Sequence, residues 1–128
     1  KRFNIIPKIG ITGLNPHCES NFHKSEEEKI IIPAIKYLSE KKFKVSGPYA
    51  ADTIFLKDKI KKLDVIIGMY HDQVLAPIKS IFGFNAINIT LGLPFIRVSP
   101  DHGPNLDMFL KNKSTPNSLI QAIKFLDK

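Results

Sequence analysis

The apolar run Asp64-Val65-Ile66-Ile67-Gly68-Met69 leads directly into Tyr70-His71-Asp72-Gln73. A short apolar run between turn signals marks a strand buried on both faces, the kind found in sheets covered by helices. The polar residues that follow then stand at the strand's carboxyl end, where open α/β sheets bind ligands. Such a strand obliges the rest of the chain to supply neighbouring strands and covering helices.

The chain does so by alternation, which argues for an α/β fold. Residues 8–14 read as a strand entering a loop at Asn15-Pro16-His17. Ser25-Glu26-Glu27-Glu28 reads as a capping box, and its three carboxylates suit the positive end of a helix dipole. Ile30, Ile31, Ala34, Ile35 and Leu38 then recur at helical spacing as one buried face, with a kink expected at Pro33. Residues 43–46 read as a strand stopped by Gly47-Pro48, and residues 52–56 as a short helical turn. A helix is expected over 74–82 despite Pro77, and strands over 86–91 and 95–98. A last helix is capped by Ser114 or Thr115, with Pro116 near its first position and Leu119, Ile120, Ile123 and Leu126 as its apolar face.

Composition narrows the function classes. With 128 residues, 43% of them apolar, the chain can bury a core without disulfides or a structural metal. The single Cys18 rules out an internal disulfide framework and suits a reducing compartment, so a cytoplasmic location is expected. No apolar run approaches the roughly 20 residues that span a bilayer, so no membrane partner is expected. The opening Lys1-Arg2-Phe3-Asn4-Ile5-Ile6 is cut short by Pro7 and Lys8, too early for a signal peptide. A first residue other than Met reads as a processed, trimmed or incomplete chain.

Nineteen Lys and Arg against twelve Asp and Glu give a formal charge of +7, which favours anionic ligands. The lysine clusters lack interleaved aromatics, and no Cys/His finger spacing occurs, so nucleic acid is not expected as a partner. The competing reading of this charge is a Lys-rich solvated surface, and a non-catalytic basic binding module is a further functional alternative.

His17, His71 and His102 each follow a predicted strand, whereas His23 precedes the Glu-rich helix start and reads as a surface residue. Imidazole is a good ligand for divalent zinc, cobalt or iron. His17 and His71 are candidate metal ligands, and Asp72 is a candidate third ligand or a group that orients an imidazole. Lys79, Asn88 and Arg97 together suit a phosphorylated or carboxylated substrate. Neither a Gly-x-Gly-x-x-Gly fingerprint nor a Walker loop is present.

Five stretches stand in order: Gly13-Leu14-Asn15-Pro16-His17; Gly47-Pro48 with Ala51-Asp52-Thr53; Met69-Tyr70-His71-Asp72-Gln73; residues 88–97; and Ser99-Pro100-Asp101-His102-Gly103. Together they resemble the C-terminal part of the 4-hydroxythreonine-4-phosphate dehydrogenase family, over residues 8–126. The resemblance implies a three-layer α/β/α segment of an isocitrate/isopropylmalate-dehydrogenase-like fold. On that reading residues 1–128 form one segment of a two-lobed subunit, with a change of lobe near 74–86. It also implies a homodimer with a site shared between subunits and a divalent metal (zinc, magnesium or cobalt) held by three histidines. Two of these match His17 and His71, and the third would lie in a segment absent here.

By the same resemblance, Lys79, Asn88 and Arg97 bind a phosphorylated amino-acid substrate, with Lys79 and Asp72 as the candidate catalytic groups. His102 and Gly103 match a loop that binds the adenosine of NAD or NADP. The implied reaction oxidises and decarboxylates 4-phosphooxy-L-threonine to 3-amino-2-oxopropyl phosphate, in pyridoxal phosphate biosynthesis. A sibling dehydrogenase acting on phosphorylated erythronate or a dihydrodiol carboxylate is the alternative. The fragment alone is expected to be inactive and to expose apolar strand surface at Val65, Ile66 and Ile67 or at residues 87–91. Three departures stand out: Cys18-Glu19-Ser20-Asn21-Phe22 replaces a small, glycine-rich run, Val74 replaces a frequent Gly, and Pro104-Asn105 replaces a Thr-Ala pair.

Overall fold

The computed structural model describes residues 5–18, 24–104 and 106–127. His23, most of the run 18–22 and Asn105 therefore lie outside the described residues, and with them the surface reading of His23. The chain divides into two compact units, Lys1–Pro77 and Ile78–Lys128. Strands and helices alternate and the first sheet is parallel, which makes this an α/β fold.

The first unit is built on β1 (Lys8–Thr12), β2 (Lys44–Tyr49) and β3 (Val65–Ile67), in the order β2-β1-β3. Both pairings are parallel, with Ile9 opposite Val45 on one side and opposite Val65 on the other. The central strand is thus β1, and its Ile11 packs in a core with Ile31 and Ile54. The expectation for β3 needs correction. It is an edge strand among the described residues, and the face that carries Val65 (40% exposed) and Ile67 (41% exposed) is not covered, while Ile66 on the other face is half-buried. Val65 and Ile67 thus show the apolar exposure expected of the isolated segment, and Ile66 does not.

Two prolines act differently from the sequence expectation. The first helical stretch is a π-helical turn, Glu27–Ile31, followed by α1 (Ile32–Glu40) with Pro33 in its first turn. Proline lacks an N–H and crowds the carbonyl four residues back, so it is accommodated at a helix start preceded by a wider turn. Ile31 is buried and Ile35 and Leu38 half-buried, but Ile30 and Ala34 face outward, so the apolar face is narrower than expected. Strand β2 does not stop at Gly47-Pro48 but runs through it to Tyr49. The register shifts there, from Gly10 opposite Ser46 to Thr12 opposite Tyr49. A bulge on an edge strand is where a proline is tolerated within a sheet. Gly47, at φ +132°, comes against the Ile11 carbonyl, where a Cβ would collide.

Residues 51–56 form turns, and the short helix α2 follows them at Lys57–Ile60. The next helix, α3 (His71–Phe82), starts three residues earlier than its apolar spacing indicates. Its first turn, His71-Asp72-Gln73, is polar and carries no apolar period to read.

In the second unit, β4 (Ile87–Thr90) and β5 (Arg97–Pro100) pair antiparallel. Helix α4 (Asn117–Leu126) packs on both. Pro116 is its N-cap, and the Thr115 hydroxyl accepts the Asn117 N–H at 3.4 Å. The face of α4 that is buried consists of Ser118 and Ala122, not the larger apolar residues. Small side chains let the helix approach the strands closely. The Ser118 hydroxyl donates to the Ala86 carbonyl at 2.7 Å and accepts the Asp101 N–H at 3.0 Å. Leu119, Ile120, Ile123 and Leu126 point outward. Among the described residues, no helix is long and apolar enough to cross a membrane.

Candidate metal and substrate site

β1 and β3 are parallel neighbours, so their carboxyl ends lie side by side. One leads into the loop that carries His17 and the other into His71, the first residue of α3. The first loop is held from several sides. The Asn15 N–H donates to Glu27 Oε1 at 2.7 Å, the Asn15 side chain accepts the His17 N–H at 2.9 Å, and the Ala51 N–H donates to the Pro16 carbonyl at 3.0 Å. Gly13 is required at its start: a Cβ there would lie 2.5 Å from Cys18 Sγ and 3.0 Å from Glu27 Oε1.

Glu27 is 1% exposed and does not act as a solvated first-turn carboxylate, as its place in the capping box suggested. The hydrogen bond from the Asn15 backbone holds its pKa below the usual carboxylate range, against the opposing effect of burial. The Ser25 hydroxyl does accept the Glu28 N–H, at 3.3 Å, as the capping box predicts. Cys18 is a free, half-buried thiol whose pKa is raised, first by burial.

Each imidazole has a carboxylate beside its Nδ1, hydrogen-bonded in His71 and only at ion-pair distance in His17. His17 Nδ1 lies 3.4 Å from Asp52 Oδ2, and His71 Nδ1 lies 2.8 Å from Asp72 Oδ1. A carboxylate hydrogen-bonded to Nδ1, as at His71, orients the ring and leaves Nε2 for a ligand, the usual arrangement behind a metal-bound histidine. In this geometry Asp72 orients an imidazole. The partnership of Asp52 with His17 was missed in the sequence because 35 positions separate the two. The donor set fits a divalent ion in kind and is short in number. Among the described residues, no three His, Cys, Asp or Glu side chains come together to hold one.

The second unit holds the remaining candidates. Asn88 pairs with Ser99 and Thr90 with Arg97, so Asn88 and Arg97 share a face of the β4-β5 ladder. Arg97 donates from Nη1 to the Thr90 hydroxyl at 2.8 Å, which holds the exposed guanidinium near the ladder. Lys79 instead lines a cavity of about 870 Å³ together with Phe84, His102, Gly103, Phe109 and Lys113. This wall combines apolar rings with cationic side chains, as an anionic ligand with a flat aromatic part requires. Asn88 and Arg97 are not part of it. His102 turns its Nδ1 to the Gly103 carbonyl at 2.9 Å.

The family model for pyridoxal phosphate biosynthetic protein PdxA matches residues 1–126. A protein from Sulfurihydrogenibium sp. named 4-hydroxythreonine-4-phosphate dehydrogenase is 47% identical over 119 residues, which cover 92% of this chain and 36% of that protein. A candidate D-threonate 4-phosphate dehydrogenase from Oceanobacillus iheyensis is 43% identical, over 91% of this chain and 36% of its own length. Among solved structures, 4-hydroxythreonine-4-phosphate dehydrogenase from Klebsiella pneumoniae matches with a TM-score of 0.76 and 36% identity, covering 94% of this chain and 37% of that one. The chain thus spans about a third of the length of the relatives it matches. With a family match over nearly every residue and a matching fold, the chain belongs to the PdxA family of pyridoxal phosphate biosynthetic proteins.

Proposed function

We propose that this chain supplies two metal ligands and the anion-binding groups of a 4-hydroxythreonine-4-phosphate dehydrogenase. The reaction would be the NAD(P)-linked oxidation and decarboxylation of 4-phosphooxy-L-threonine to 3-amino-2-oxopropyl phosphate. The observation that carries this reading is the pair of imidazoles, His17 and His71, each with Nδ1 against a carboxylate at the ends of adjacent parallel strands.

In this reading His17 and His71 hold a divalent ion (zinc, magnesium or cobalt) through Nε2, while Asp52 and Asp72 keep the rings oriented. When bound, the ion and the nicotinamide cofactor supply Lewis acidity and a hydride acceptor. Arg97 forks onto a phosphate or carboxylate oxygen pair, which a planar guanidinium matches better than an ammonium. Asn88, on the same face, donates an amide N–H to the same group. Lys79 neutralises substrate charge and holds a proton at Nζ for transfer during turnover. His102 and Gly103 border the cavity that takes the adenosine end of NAD or NADP.

The remaining ligand and part of the substrate contacts come from sequence outside this chain, across a homodimer interface. The reading includes a change of lobe near residues 74–86, which the division of the chain into compact units at Pro77 and Ile78 supports. The free thiol of Cys18 agrees with a cytoplasmic setting.

The test is a chimera in which residues 1–126 replace the matching third of the Sulfurihydrogenibium relative. With divalent metal, NAD+ or NADP+ and 4-phosphooxy-L-threonine it should reduce the nicotinamide, and His71→Ala should abolish this. A folded, metal-loaded chimera without turnover on any phosphorylated substrate would refute the proposal. The 43% identity to the Oceanobacillus protein favours a second reading, oxidation of D-threonate 4-phosphate. Higher kcat/KM for that substrate would select it.

A further inference from the structure

We propose that Gln73 and Thr12 form a buried clamp that positions His17 and His71 relative to each other. This rests on the reading of the two histidines as ligands of one ion. The Gln73 side chain is 6% exposed and Thr12 is fully buried. Gln73 Oε1 accepts two hydrogen bonds, from the Thr12 hydroxyl at 2.7 Å and from the Met69 N–H at 2.7 Å. Its Nε2 donates to the Gly13 carbonyl at 2.8 Å. One amide therefore ties the end of β1, the first residue of the His17 loop and the last residue before Tyr70-His71.

The hydrogen bonds of Gln73 thus link both strand ends through one side chain. Gly13 stands four residues before His17, and Gln73 two after His71. A change in the clamp is thus transmitted through one short loop and one helical turn to both imidazoles. The amide is chemically specific: it offers an acceptor to two donors and a donor to one carbonyl. A carboxylate in its place keeps the two accepted bonds but sets a second oxygen against the Gly13 carbonyl. A group that positions metal ligands in this indirect way should alter affinity by no more than the roughly 10- to 100-fold seen for groups bonded directly to the ligands.

The experiment uses the chimera of residues 1–126 with the rest of the Sulfurihydrogenibium relative, carrying 15N-labelled histidine, titrated with cobalt(II) and followed by the His17 and His71 ring resonances. Gln73→Glu and Thr12→Val should weaken cobalt binding, by no more than about 10- to 100-fold, and move both sets of ring resonances in the metal-free chimera. Thr12→Ser, which keeps the hydroxyl, should restore the wild-type values. Ser118→Ala removes a comparably buried pair of hydrogen bonds in the second unit. It should lower the melting temperature and leave cobalt affinity within twofold. If Gln73→Glu fails to fold, Thr12→Val against Thr12→Ser decides. The clamp is overturned if these variants lower only the melting temperature and leave ring resonances and cobalt affinity unchanged. A wild-type chimera that binds no cobalt would defeat the metal reading instead. The ring resonances would still decide whether the clamp organises the two imidazoles.

Discussion

The Glu27 carboxylate accepts the Asn15 backbone N–H at 2.7 Å, so a side chain from the first helical turn holds the loop that carries His17. Its depressed pKa makes this contact pH-dependent. A group with a lowered folded pKa contributes stability that is complete above its unfolded value, about 4.3, and is lost as pH falls through the lower folded value. The melting temperature should therefore drop as pH is lowered from about 4.5, and Glu27→Gln should flatten that drop. Glu27→Ala leaves the Asn15 donor without its partner and should cost about 1–3 kcal/mol at neutral pH. Thermal unfolding across pH 3–7 (roughly the range that brackets carboxylate titration) measures both.

Gly13→Ala places a methyl group 2.5 Å from Cys18 Sγ and 3.0 Å from the anchored Glu27 Oε1. Overpacking of this kind costs roughly 1–3 kcal/mol. Adding Cys18→Ala removes the nearer atom and should recover part of the loss. A double-mutant cycle by urea unfolding would show a favourable coupling between the two substitutions. Additive losses would mean that the thiol is not the obstruction.

Much of this arrangement was legible in the residues. The apolar run ending at Met69 marked a strand, and the polar residues after it marked the carboxyl end of a sheet. Alternating strands and helices gave the fold class. What the residues did not show was set by contacts far apart in the chain. Glu27 looked like a dipole-facing carboxylate because its distant partner, Asn15, is reached only after folding. Gln73 looked like the tail of a motif, because its three partners lie in two other segments. The exposure of Val65 and Ile67 depends on which face of the sheet is covered, which local hydrophobicity does not encode. Likewise α4 buries Ser118 and Ala122, since close approach to β4 and β5 selects small residues over the apolar face that periodicity picks out.

Arg97→Lys should damage substrate use more than folding. The Arg97 side chain is exposed and its described hydrogen bond is to the Thr90 hydroxyl, so stability should change by no more than about 0.5 kcal/mol. Loss of a charge-assisted, forked contact should lower kcat/KM in the chimera by an amount equivalent to about 1.5–3 kcal/mol. An unchanged kcat/KM with a shifted melting temperature would place Arg97 in the fold rather than the site.

The chain by itself should not turn over 4-phosphooxy-L-threonine, and it should associate. Val65, Ile67, Leu119, Ile123 and Leu126 all present apolar surface to solvent, and large exposed patches of this kind promote self-association. Light scattering with size-exclusion chromatography should show a mass that rises with concentration. Turnover by the chain alone at about 1 per second or faster, within the ordinary enzyme range, would show that it carries a complete site.

The central claim is that His17 and His71 are ligands of one ion. Its most direct test is a crystal structure of the zinc-loaded chimera, with the metal located by anomalous scattering at the zinc edge. One ion should be found with a His17 and a His71 nitrogen each about 2.0–2.1 Å away, in one subunit or across the dimer. An ion bound elsewhere, or two imidazoles that share no ion in any subunit combination, would contradict it.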